Sequence, residues 1–215
     1  GDWKLIFAVY AATTLVSTVW LISTIPGKEK LEEAKATFGT TLSLFSDKYI
    51  TSLFLGILFI VGIDVGLNTT IPKLLMDRTG MALSEAGLGT SLYFAARTIG
   101  SFAGAFLLAK VSASRFLKYS MFVAIVAFIL LLAVPATWSM FVMIVIVGLA
   151  CANVFSIIFS FALQHKPERA NEISALMIMG VSGGALITPL MGIVADGFGQ
   201  VAGLSILLLC ILDKK

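Results

Sequence analysis

The chain alternates between long apolar runs and short polar stretches. Six runs reach the length of about 20 residues that a helix needs to cross a bilayer. They cover residues 3–25, 49–71, 86–109, 116–134, 140–163 and 173–195. A seventh run, 201–212, is too short to cross and ends in three charged residues. The pattern predicts an all-α membrane protein with about seven transmembrane spans.

Composition supports lipid as the solvent for most of the chain. Of the 215 residues, 59% are hydrophobic and only 13% are charged, whereas soluble domains carry roughly a quarter charged residues. The net charge of +3 is small and scattered, which argues against a nucleic-acid partner. The two cysteines lie inside apolar runs and His165 is the single histidine. No metal site or cofactor is therefore expected.

The basic residues of the polar stretches predict the orientation in the membrane. If the stretch 26–48 is cytoplasmic and the spans alternate, eleven Lys and Arg residues lie in the cytoplasm and three on the opposite side. The three are Lys4, Lys73 and Arg78. Such a bias follows the positive-inside rule. It predicts a multi-pass protein, and we expect the inner membrane of a bacterium.

The stretch 26–47 differs from the other polar stretches because it mixes acidic and basic residues with good helix formers. It fits a solvated surface helix, a connector between two transmembrane bundles, or both. We therefore expect residues 1–25 to be the last helix of a preceding bundle, 26–47 a cytoplasmic linker, and 48–215 a second bundle whose last helix is truncated.

Two ionisable residues lie deep within the apolar runs. Asp64 is in the second run and Arg97 is near the middle of the third. A charge at bilayer depth is costly, so such residues face the bundle interior or a water-filled cavity and usually find partners. A structural interpretation is an internal salt bridge that fixes two helices. The functional interpretation is a binding site, in which Asp64 is also a candidate for proton coupling.

Further polar residues share helical faces with this pair. Asn68 follows Asp64 by four positions and Tyr93 precedes Arg97 by four, so each couple lies on one face. On the fifth run Asn153 begins a polar stripe. Convergence on one cavity is the simplest way to satisfy these polar faces, so we predict that all five residues line one cavity, the candidate substrate-binding site.

Small residues spaced four apart predict close helix contacts. Gly62 and Gly66 form one such pair, and Gly100 and Gly104 form another. In the sixth run Gly183-Gly184 precedes Pro189, which predicts a deformable segment.

Four segments resemble the C-terminal half of the major facilitator superfamily, within it the fucose-permease-like sugar–proton symporters. Residues 59–66 are similar to the seventh-helix motif Tyr-Val-Gly-Ala-Glu-Val, with Asp64 at the acidic position, and 96–104 to the eighth-helix pattern Gly-Arg-x-x-Gly. Residues 148–160 resemble the tenth-helix pattern and 179–196 the eleventh-helix pattern ending in Ala-Asp. Ser156-Ile157 stands where that family has Pro-Thr, and Asn153 is displaced from the usual serine.

The resemblance implies a secondary transporter that takes up a hexose or related sugar with protons by alternating access. It also implies that the first run is the family's sixth helix and that the chain is a fragment, whose missing N-terminal half carries the first five helices. Besides that half, the expected partners are the sugar, the proton and membrane lipid.

Two other functions stay open at this point. One is an exporter or antiporter of drugs or organic anions, in which Arg97 attracts the substrate. The other is an intramembrane hydrolase with Ser182 as nucleophile. The hydrolase is disfavoured because His165, the sole histidine, lies in a polar stretch and not in a span. We do not expect an enzyme.

Overall fold

The computed structural model describes residues 3–24, 37–134, 136–199 and 202–205. The chain divides into two compact units, Gly1–Lys35 and Ala36–Lys215. The first contains helix α1 (Trp3–Ser23). Thr14 and Thr18 on α1 donate their hydroxyls to carbonyls one turn earlier, which satisfies these polar groups within the helix, as lipid requires. Of the connector predicted at 26–47, residues 26–36 lie outside the described residues, and the rest contains a short helix (Phe38–Ser43) and a 3₁₀ turn (Leu44–Ser46).

The second unit is a bundle of helices joined by short turns. Its helices are α2 (Phe38–Ser43), α3 (Lys48–Thr79), α4 (Leu83–Leu108), α5 (Ala113–Ala133), α6 (Thr137–Cys151), α7 (Val154–His165), α8 (Ala170–Met179) and α9 (Gly183–Phe198). Six helical segments of the described part of the chain are long and apolar enough to span a membrane, counting α6–α7 and α8–α9 as one segment each. The prediction of a helical membrane protein is confirmed. Of the short seventh run, only residues 202–205 are described.

Helix α3 extends beyond its apolar run. The Asp47 carboxylate caps its start by accepting hydrogen bonds from the backbone N–H groups of Tyr49 and Ile50. The helix ends at Gly80, whose φ of 68° lies in the left-handed region. With 32 residues, α3 is about 48 Å long. It therefore exceeds the roughly 30 Å of hydrocarbon, and its polar last turns are an extension that hydropathy does not predict.

Two of the predicted spans are interrupted. The fifth breaks at Ala152-Asn153, a turn between α6 and α7, and the sixth passes through a 3₁₀ turn at Gly180–Ser182 before α9 begins. Hydropathy does not report such breaks, because the residues on both sides remain apolar. The second interruption comes directly before Gly183, where the sequence predicts a deformable segment.

Helix α3 forms the centre of the bundle and packs against α4, α7 and α9. The two helices α3 and α9 approach closely at Gly183 of α9, which faces the backbone carbonyl of Leu58 on α3 with no room for a side chain. Gly62 of α3 similarly faces Ile187 of α9, and Gly100 of α4 faces the Leu149 backbone. The expectation that small residues permit close helix packing is confirmed at these contacts.

Candidate functional site

Asp64, Tyr93 and Arg97 form one cluster between α3 and α4, in which Asp64 is the shared partner. The Tyr93 hydroxyl donates to Oδ1 of Asp64 at 2.5 Å, and Nη1 of Arg97 forms an ion pair with the same oxygen. The side chains of Asp64 and Arg97 are 24% and 26% exposed. The two charges are thus paired with each other, while about a quarter of each side chain remains accessible.

The antiparallel packing of α3 and α4 brings the three residues to the same depth. The turn after Gly80 is short, so α4 starts at Leu83 and runs back along α3. Asp64 lies near the midpoint of α3, and the pair Tyr93 and Arg97 lies near the midpoint of α4. A charge pair at this depth is far from headgroup water, which explains why each charge needs the other.

Tyr93 is fully buried, so its ring offers no face to an open cavity. Its hydroxyl reaches the site only through Asp64. Among the described residues, Tyr93 and Arg97 both contact Asp64 through Oδ1. Because an ionised carboxylate has about four acceptor positions on two oxygens, the group retains acceptor capacity for hydroxyl donors.

Asn68 lies one turn beyond Asp64 on α3 and is half-buried. Its backbone carbonyl accepts a hydrogen bond of 3.5 Å from the Thr90 hydroxyl of α4. The residue shares the face of Asp64 as predicted.

Asn153 lies at the break between α6 and α7. Its side chain is buried and donates from Nδ2 to the carbonyl oxygen of Gly100 on α4 at 2.8 Å. The amide fills the space beside Gly104, where a Cβ would collide with it. Asn153 thus bonds to the α4 backbone about one turn from Arg97. In the Asp64 cluster, by contrast, Tyr93 and Arg97 both bind Asp64.

We expect Asn153→Ala to lower the free energy of unfolding by about 1 kcal/mol, since interhelical hydrogen bonds in membranes contribute about 0.6–1.7 kcal/mol. Thermal unfolding in detergent measures this. Gln164→Ala is the matched control, because that amide donates only to Ser160 on its own helix in the described contacts. Equal losses in the two variants would contradict an interhelical role for Asn153.

A second polar cluster lies at the start of α3, and the sequence did not predict it. Oδ2 of Asp47 lies 2.7 Å from Nζ of Lys166 and 3.1 Å from Nε2 of His165, which ties the start of α3 to the end of α7. Hydrogen bonding to Lys166 first, and then to His165, lowers the pKa of Asp47 well below its usual range. The sequence did offer one signal for this cluster. Asp47 stands just before the apolar run that starts at residue 49, and aspartate is a typical N-cap residue.

The depressed pKa gives a pH dependence with a defined sign. The contribution of Asp47 to stability is fully present above the carboxyl's unfolded pKa, about 3.9, and is lost as the pH falls toward the folded value. We expect Asp47→Asn to lower the thermal midpoint at pH 7, and the difference from wild type to shrink below about pH 4. A difference that is constant over this pH range would show that the carboxylate charge does not matter.

A small polar cavity of about 130 Å³ lies between α3 and α9 toward their C-terminal ends. Thr70, Lys73, Thr188 and Asp196 are among its lining residues. None of the residues that line this cavity belongs to the Asp64 cluster. No group of His, Cys, Asp and Glu suited to a metal ion occurs among the described residues.

Comparison with known proteins places the chain in a family. The family model of the Major Facilitator Superfamily matches residues 1–189. A putative glucose/galactose transporter of Helicobacter pylori (strain J99) is 27% identical over 182 residues, which are 85% of this chain and 44% of the relative. The glucose/galactose transporter of Brucella abortus biovar 1 is 27% identical over 150 residues, 67% of this chain and 35% of the relative. The chain thus spans less than half the length of these curated relatives.

Solved structures share the fold. The MFS transporter FucP in its outward conformation matches with a TM-score of 0.78 and 18% identity, over 95% of this chain and 51% of that one. An inward-facing, unoccupied bacterial homolog of the human lysosomal transporter Spinster matches with a TM-score of 0.66 and 18% identity, over 98% of this chain and 57% of that one. The chain is a multi-pass membrane protein and belongs to the Major Facilitator Superfamily.

Proposed function

We propose that this chain is the C-terminal half of a secondary transporter that takes up a hexose or related sugar with protons by alternating access. The superfamily assignment and the two relatives named as glucose/galactose transporters support transport of a sugar. A preceding six-helix bundle, whose last helix is residues 1–25, completes the carrier, and residues 26–47 link the two bundles. The bacterial inner membrane is its proposed location.

The observation that carries the proposal is the paired charge at mid-membrane depth. Asp64 and Arg97 neutralise each other yet are each about one quarter exposed. A pair that only fixed two helices would need no accessible surface, because its two partners already satisfy each other. Partial exposure at this depth fits a pair that borders a substrate cavity, which transporters of this type place near the bilayer midplane.

The proposed chemistry follows from the donors and acceptors present. Asp64 accepts hydrogen bonds from sugar hydroxyls, Arg97 donates to sugar oxygens, and Asn68 lies one turn further along α3. Asn153, whose buried amide is bonded to a backbone carbonyl of α4, supports that helix behind the site. Tyr93 acts through its hydroxyl, which orients the Asp64 carboxylate. Asp64 also takes up the coupled proton, and protonation releases Arg97 from the ion pair.

Competition tests the substrate class in the reconstituted carrier that contains this chain. With an inward proton gradient, we expect uptake of radiolabelled galactose that unlabelled glucose inhibits and that an organic anion such as p-aminohippurate does not. The neutral Asp64–Arg97 pair gives an anion no net attraction. Uptake that is inhibited by the anion but not by hexoses would favour the alternative, an exporter or antiporter of organic anions or drugs.

A further inference from the structure

An open groove of about 580 Å³ runs between α5 and α6. Arg115, Tyr119 and Val123 line it from α5, and Ile146 and Leu149 line it from α6. One end of the groove is therefore charged, and most of the remaining lining is apolar apart from Tyr119 and Ser120.

The groove has the depth of one bilayer leaflet. Arg115 lies in the first turn of α5 and Val123 two turns later, a rise of about 12 Å, against about 15 Å for half of the hydrocarbon core. Beyond the groove, α5 exposes large apolar side chains such as Phe122 and Ile129. This exposed apolar surface indicates that the α5 side of the groove faces lipid.

Among the described residues, the basic side chains near the mouth of the groove have no acidic partner. Lys110, Arg115 and Lys118 surround the start of α5, and the stretch from residue 86 to residue 167 contains no Asp or Glu. None of the three takes part in an ion pair within the described part of the chain. Nε of Arg115 donates to the Ser112 hydroxyl at 3.1 Å, which holds the guanidinium beside the groove.

We propose that this groove binds an anionic phospholipid, with one acyl chain along the apolar floor and the phosphate on Arg115. Arginine suits phosphate because its planar donors pair with two oxygens at once. Lys110 and Lys118 add further attraction for the negatively charged headgroup, as basic clusters at the ends of membrane helices do. A free phosphate would leave the apolar floor unfilled, so the complementarity favours the lipid. This proposal is independent of the transported substrate.

Native mass spectrometry of the purified protein tests lipid selectivity. We titrate phosphatidylglycerol and phosphatidylcholine with identical acyl chains and compare their retention. Each basic residue near the headgroup contributes about a fivefold preference for the anionic lipid. We expect Arg115→Gln to lose about that factor and Arg115→Lys to keep most of it. Lys48→Gln, which removes an exposed lysine at the start of α3, is the matched control and is expected to behave as wild type.

The acyl chain is tested separately with Val123→Trp. Its indole is expected to fill the groove and to reduce retention of both lipids while Arg115 stays in place. Thermal unfolding of each variant shows that the bundle is intact. Equal retention of phosphatidylglycerol by Arg115→Gln and Lys48→Gln would overturn the proposal.

Two other occupants give different results. Displacement of the lipid by millimolar inorganic phosphate, or equal binding of dihexanoyl phosphatidylglycerol, would show a bare phosphate site and overturn the acyl-chain part. A dimer that dissociates in Val123→Trp would show that a second copy of this chain fills the groove, which would overturn the lipid assignment.

Discussion

Asp64→Asn is expected to abolish proton-driven accumulation of sugar by the carrier. Asparagine retains an acceptor for the Tyr93 hydroxyl but cannot take up a proton, and it leaves Arg97 without its counter-charge. An unpaired charge at mid-membrane depth costs about 2.5–3.5 kcal/mol. We therefore expect accumulation in proteoliposomes to be lost and the unpaired Arg97 to lower the thermal stability of the variant.

Two controls separate chemistry from folding. Asp77→Asn changes an exposed aspartate near the end of the same helix and is expected to transport as wild type. The double variant Asp64→Asn with Arg97→Gln removes the unpaired cation, so its thermal stability is expected to recover while accumulation stays lost. Normal accumulation by Asp64→Asn would remove this carboxylate from proton coupling.

The sequence predicts the membrane-spanning elements and the Asp64–Arg97 pair for the same reason. Lipid tolerates few polar groups, so apolar runs mark the spans and an ionisable residue within a run needs a partner. Only two such residues lie deep in the runs, and a helix-period argument places Asn68 and Tyr93 beside them. That reasoning predicts the cluster without any knowledge of the turn that joins α3 to α4.

Other features depend on the backbone, about which hydropathy carries little information. Helix α3 continues through Lys73 and Arg78 and ends only at Gly80. Nη2 of Arg78 donates to the Leu132 carbonyl at 2.8 Å, which gives this charged side chain a partner at the end of the helix. The turn at Ala152-Asn153 interrupts a run that looks continuous. The sequence identifies Asn153 as polar, but that its amide bonds to the Gly100 backbone depends on how closely two helices approach.

Gly183→Ala is expected to destabilise the bundle strongly, because α3 and α9 are in direct backbone contact there. A Cβ at this position would collide with the Leu58 carbonyl and Cα, which are backbone atoms and cannot rotate away. The φ of −52° at Gly183 suits any residue, so the effect comes from the helix approach alone. Overpacking costs about 1–3 kcal/mol and occasionally more, and we expect the upper part of this range, measured by thermal unfolding in detergent.

Gly192→Ala provides the matched control with an expected effect of opposite sign. Gly192 lies on the same helix with nothing within 4 Å of an added Cβ, and alanine is favoured over glycine inside a helix by about 1 kcal/mol. We therefore expect its thermal midpoint to equal or exceed that of wild type. If Gly183→Ala instead gained stability as Gly192→Ala does, helix propensity would outweigh packing, and the α3–α9 contact would not need a glycine. Transport by Gly183→Ala then tests whether this contact also sets the position of Asp64, which lies on α3 less than two turns from Leu58.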